Sequence, residues 1–159
     1  MMRSKTLLLR SFTKQKPAMR KLIIEAFFYL AYARVINLRP FSKAAQMLGC
    51  ENEETSYDQS SVLDPVRLRV AKAIDMTAKH TPWRSECLVT SIAGMRMLKR
   101  RNIESTLYLG VARNESGGMN AHAWLRSGPM YVAGADGIEK YTVVGMFSNK
   151  KLNESEVRG

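Results

Sequence analysis

Cys87 is the residue best placed to do chemistry. It follows Pro82-Trp83-Arg84-Ser85-Glu86 and opens an apolar helical pattern. A thiol attacks a carbonyl only as the thiolate. The partial positive charge of a helix N-terminus favours that form, and a neighbouring imidazolium favours it further. The chain has two histidines, His80 and His122. His80 closes a helix, where the dipole accounts for a basic ring. His122 lies in an alternating segment, Ala121-His122-Ala123-Trp124-Leu125, that reads as a strand. Asp136 is the only aspartate downstream of His122. A turn centred near Gly128 sets His122 opposite or diagonal to residues 133–136. Asp136 could then accept a hydrogen bond from the far ring nitrogen and fix its tautomer. If Asp136 is not that acceptor, an amide such as Asn120 is the alternative. Each residue also has a plain reading. A lone Cys is ordinarily a small buried residue. A strand His is ordinarily a half-buried polar group, and an Asp before Gly is ordinarily a turn. The three could together ligate a metal, but there is no CxxC or HxxxH spacing, so no metal and no cofactor is expected.

The elements that must position these residues follow from periodicity. Residues 1–16 read as a basic arm. Across residues 1–21 there are seven Lys or Arg and no acid. Lys21 to Leu38 is an almost wholly apolar helix ending before Arg39-Pro40. Glu25 and Arg34 would be expensive in a bilayer. The helix therefore reads as buried in a core, or as docked on a partner or membrane surface. Phe41 to Leu48 is a second helix, closed by Gly49. Glu51 to Ser61 is polar and aperiodic and reads as a linker. Asp64-Pro65 reads as an N-cap and first turn for a helix over Val66 to Lys79. A helix from about Ser85 to Arg101 follows, with Asn102 as a left-handed stop. Alternation then predicts strands over 105–113, 121–126, 130–133 and 141–147. Helices first and an antiparallel sheet second make an α+β fold. The expected organisation is a 1–16 arm, a 17–60 helical part with linker, a 61–150 core and a 151–159 tail.

The formal net charge is +11 over 159 residues. That suggests an acidic partner: nucleic acid, an anionic membrane or an acidic peptide. No nucleic-acid motif is present, and only 8% of residues are aromatic, so a non-enzymatic nucleic-acid module is the weaker reading. Two cysteines and no secretory signal suggest free thiols in a cytoplasmic protein.

The order Cys, His, Asp, on a helix start and two later strands, is that of papain-like and transglutaminase-like enzymes. Pro82-Trp83, Cys87-Leu88, Met97 to Ile103, Leu109-Gly110-Val111, Ala121-His122-Ala123-Trp124-Leu125 and Tyr141 to Phe147 resemble the lasso-peptide leader peptidases. These are the protease half of the lasso B protein, in the transglutaminase-like superfamily. The resemblance covers about residues 17–148. Two departures stand out: Asn102 where relatives often have Gly, and Arg126 where they often carry an acid. The second is expected to alter peptide specificity.

The resemblance implies a transglutaminase-like (papain-like) cysteine peptidase that removes the leader from a lasso-peptide precursor. It implies Cys87 as nucleophile, His122 as base and Asp136 as third member. It also implies a separate leader-binding protein that delivers the precursor, and a macrolactam synthetase that takes the product. The alternative on the same fold is an acyltransferase, whose thioester passes to an amine.

Overall fold

The computed structural model describes residues 12–150. Most of the 1–16 arm and the whole 151–159 tail lie outside the described residues. Phe12, within the arm, packs against the hydrophobic core.

Helix α1 spans Pro17–Asn37 and has Pro in its first turn, where no intrahelical N–H is lost. Ile23, Ala26, Leu30, Ala33 and Ile36 recur at three- and four-residue steps and are buried. The opposite side is apolar too: Ile24, Phe28, Val35 and Leu38 are exposed. The core reading holds for the first face; the second face is left outside the core. Glu25 is matched by Arg101, whose guanidinium donates two bonds of 2.7 Å to the carboxylate. No helix among the described residues is long and apolar enough to cross a membrane.

A short helix, α2 (Phe41–Ala45), leads to Gly49. Gly49 has φ +117°, and a Cβ there would lie 2.3 Å from the Ser148 carbonyl oxygen. Only glycine lets the chain pass this closely. Strand β1 (Cys50–Glu51) then pairs with the last strand. The 51–61 stretch is therefore no free linker. Thr55 N–H donates to Thr106 Oγ1 at 2.9 Å, and Glu54 accepts from Tyr108 and Arg126. Glu54 is thus spent on internal partners, and Glu53 pairs with Lys150 at 3.2 Å.

Helix α3 spans Asp64–Ala78. Asp64 does not cap it. Asp64 is the first helical residue, and its carboxylate takes a 2.6 Å bond from the fully buried Arg67. Arg67 also donates to Ser127 Oγ at 3.0 Å and to Gln59 at 2.7 Å. Helix α4 (Cys87–Lys99) ends before Asn102, which takes φ +54° as the sequence predicts.

Strands β2 (Thr106–Arg113), β3 (Met119–Ser127), β4 (Met130–Ala133) and β5 (Thr142–Ser148) complete a five-stranded antiparallel sheet in the order β1-β5-β2-β3-β4. The protein is α+β, as the sequence indicates. One face of the sheet carries Leu107, Leu125 and Phe147 into the core with the three long helices. A Cβ at Gly94 of α4 would stand 2.7 Å from Leu125 Cδ2, so helix and sheet meet closely. On the other face Tyr108 stacks on Trp124, with centroids 5.5 Å apart. Arg126 lies on this face and is 1% exposed. It donates to Tyr108 Oη, the Thr55 carbonyl and the Gly128 carbonyl at 2.7–2.9 Å. The expectation that Arg126 reads peptide is corrected: its donors are turned inward and tie residues 54–57 to the sheet.

Candidate active site

Cys87 is the first residue of α4, and Glu86 before it is extended. The first N–H groups of a helix have no partner within it, so the Cys87 N–H is an available donor. A short loop delivers this residue, and Thr81 organises it. Thr81 Oγ1 lies 2.9 Å from the Trp83 carbonyl, 3.1 Å from the Ala78 carbonyl and 2.8 Å from Ser85 Oγ. Trp83 packs on Phe27 of α1 at 5.3 Å between centroids. After the loop, Thr90 Oγ1 reaches back to the Cys87 carbonyl at 3.0 Å. Cys87 is half-buried, and its thiol is free.

His122 is half-buried on β3, facing Gly110 of β2 in register. Its ring lies between Trp124 and Tyr141, at centroid distances of 5.9 and 5.0 Å. Gly110 makes the room. A Cβ there would lie 2.7 Å from the Trp124 ring and 2.9 Å from Tyr141 Cβ. His122 Nε2 sits 2.8 Å from the Gly134 carbonyl oxygen. A carbonyl only accepts, so in the neutral ring Nε2 carries the hydrogen. Nδ1 then keeps the lone pair that a base needs. Gly134 has φ +69°, and a Cβ on it would lie 2.3 Å from the Ala123 carbonyl oxygen. Glycine alone brings its carbonyl to this ring.

Sequence reasoning missed the Gly134 carbonyl, because a backbone acceptor carries no residue signature. A glycine one residue past a predicted strand was the only available hint. Asp136 lies two residues further on and is exposed. Among the described residues no hydrogen bond joins it to His122. Asn120 is also exposed, and its side-chain oxygen takes a 3.4 Å contact from Asn114.

A cavity of about 400 Å³ lies beside the start of α4; its lining includes sequence neighbours of Cys87 and the Gly134 that bonds His122, but neither Cys87 nor His122 itself. Ser85 and Thr90, on either side of Cys87, form one wall, and Gly134 to Asp136 form another. No hydrogen bond joins the thiol to the ring among the described residues. Such bonds commonly tighten only with substrate bound. The arrangement supplies a thiol at a helix start, a ring with one nitrogen fixed, and a backbone donor.

The family model described as the Transglutaminase-like superfamily matches residues 28–146, from within α1 to β5, and includes Cys87, His122 and Asp136. The chain belongs to the transglutaminase-like superfamily, whose members are typically cysteine hydrolases. Comparisons with curated proteins and with solved structures returned no match.

Proposed function

We propose that this chain is a cysteine peptidase that removes the leader from a lasso-peptide precursor brought to it by a separate leader-binding protein. The observation that carries the reading is the His122–Gly134 bond. It leaves Nδ1 free for a thiol in a chain whose superfamily works through cysteine.

In this reading His122 Nδ1 takes the Cys87 proton, and the thiolate attacks the carbonyl at the leader–core junction. The Cys87 N–H donates to the developing oxyanion. The C–N bond breaks as His122 returns the proton to the leaving amine of the core. A leader thioester remains. Water, deprotonated by His122, attacks it and releases the leader carboxylate and the thiol. The freed amine is then a substrate for a macrolactam synthetase.

Delivery by a partner draws support from α1. Ile24, Phe28, Val35 and Leu38 are exposed along one side of the helix. An exposed apolar stripe of this kind marks an interaction surface.

The test is to incubate the protein with a candidate precursor, with and without the leader-binding partner, followed by mass spectrometry. Two free fragments are expected. Cys87→Ala and His122→Ala should each lower turnover by roughly 10³-fold or more with the fold intact. Retained turnover in either variant sinks the assignment. The superfamily name favours one second reading, acyl transfer to an amine. It would appear in the same spectra as a mass-adding adduct.

A further inference from the structure

The cavity beside the helix start has features that the cleavage chemistry does not use. Its floor is apolar, with Ile74 and Ala78 of α3 and Val132 of β4. Its mouth carries three charged groups, Asp75, Lys79 and Asp136. Lys79 and Asp75 neutralise each other through a 2.7 Å ion pair. The Asp136 carboxylate has no such cation among the described residues, and the bond to His122 is made by Gly134 instead. The mouth is therefore net negative in a chain of formal charge +11. The Tyr131 hydroxyl adds a polar group at the same mouth. An apolar floor below a lone carboxylate matches a side chain with a hydrocarbon stem and a cationic head.

We propose that this cavity is the substrate subsite for a lysine or arginine side chain near the scissile bond, with Asp136 as its specificity-determining residue. The inference rests on the peptidase reading. It gives Asp136 work outside the catalytic set: the carboxylate meets the substrate's cation, while Gly134 orients His122. Overall positive charge then attracts an acidic precursor, and the one negative mouth selects the basic residue that enters.

Short peptidyl vinyl sulfones test this without the natural precursor. The Cys87 thiolate adds to the vinyl carbon β to the sulfone, on the peptide side, and a proton goes to the carbon beside the sulfone. Probes carrying Lys, norleucine or Glu at the residue next to the warhead, and at the one before it, are compared by labelling rate at Cys87. Iodoacetamide, too small to fill the cavity, reports the thiol itself. The Lys probe is expected to label wild type roughly fivefold faster than norleucine at one of the two positions, the scale of an exposed ion pair. The Glu probe should be slowest. Asp136→Asn should level Lys against norleucine, and Asp136→Lys should favour Glu, with iodoacetamide rates and their pH profile unchanged.

Equal labelling of wild type by the Lys and Glu probes overturns the subsite. So does a Lys preference that survives in Asp136→Lys, or reaction with iodoacetamide but with no peptidyl probe. A shifted iodoacetamide pH profile in Asp136→Asn overturns it as well, by returning Asp136 to the catalytic set. If even iodoacetamide leaves wild-type Cys87 unmodified, the nucleophile reading itself has failed.

Discussion

Gly134 does two things that no other residue could do at its position. It turns the chain at φ +69°, and it brings its carbonyl within 2.8 Å of His122 Nε2. Gly134→Ala forces a methyl against the Ala123 carbonyl, which is backbone and yields little. The variant should lose about 1–3 kcal/mol of stability. Its turnover should fall further than that loss explains, because the ring is released. Chemical denaturation beside kcat and KM on the same preparation checks this; a destabilised variant with wild-type kcat would show that the carbonyl does not position the base. At this scale the helix start at Cys87 and the strand position of His122 were legible in the sequence. A helix start and a period of two are local signals. The third partner was not legible. The proposed reach of Asp136 assumed a regular hairpin, whereas the β3–β4 register shifts between Leu125 and Arg126. That shift sets a backbone oxygen, which has no residue type, beside the ring.

Residues 52–59 show how an element can hide in a polar sequence. They cover the outer face of the sheet through Arg126 and Tyr108, with Tyr57 beneath the guanidinium at 3.6 Å. The Tyr108 hydroxyl bond holds the Glu54 carboxyl below the usual glutamate range, against the opposing effect of burial, with Tyr57 and Arg126 helping. A carboxylate depressed in the folded state adds stability above its unfolded pKa and loses it as pH falls through the folded one. Wild type should therefore exceed Glu54→Gln in stability at neutral pH. The gap should close on acidification below about pH 4. Urea titrations of both proteins at pH 7 and at acid pH measure this; a constant gap would refute the assignment. Arg126→Met removes the hub itself and leaves Glu54 without its cation. It should cost about 2–4 kcal/mol. The linker reading failed here because solvated acids and acids aimed at a buried arginine look alike in sequence. The helices, by contrast, were legible to within a few residues. Their burial repeats along the chain, as in α1 and α4, and needs no knowledge of distant partners.

The whole molecule is basic, so an acidic precursor should feel it at a distance. KM for such a precursor should rise as salt is raised from about 50 to 300 mM, with kcat nearly constant. A salt-independent KM would remove charge from recognition. The double change Ile24→Glu and Phe28→Glu probes a second global feature, the outward side of α1. These residues are 49% and 67% exposed, so fold stability should move by less than about 1 kcal/mol. Partner-dependent cleavage should drop several-fold, while partner-independent cleavage should not. Both faces of α1 could be anticipated from its unbroken apolarity, but which face met the core depended on the three-dimensional packing of α3 and α4.

The strand order β1-β5-β2-β3-β4 also sets the order in which the sheet can close during synthesis. Strand β5 separates β1 from β2, and among the described residues it is the last strand made. Cys50 pairs with Ser148, so β1 cannot join the sheet until β5 has emerged. Pairings between such distant residues are slow to form. Cys87 emerges before His122, and His122 emerges before Tyr141, which packs on its ring. A nascent chain therefore carries the Cys87 thiol before the His122 ring has its Tyr141 neighbour, and the sheet closes in one late step when β5 docks.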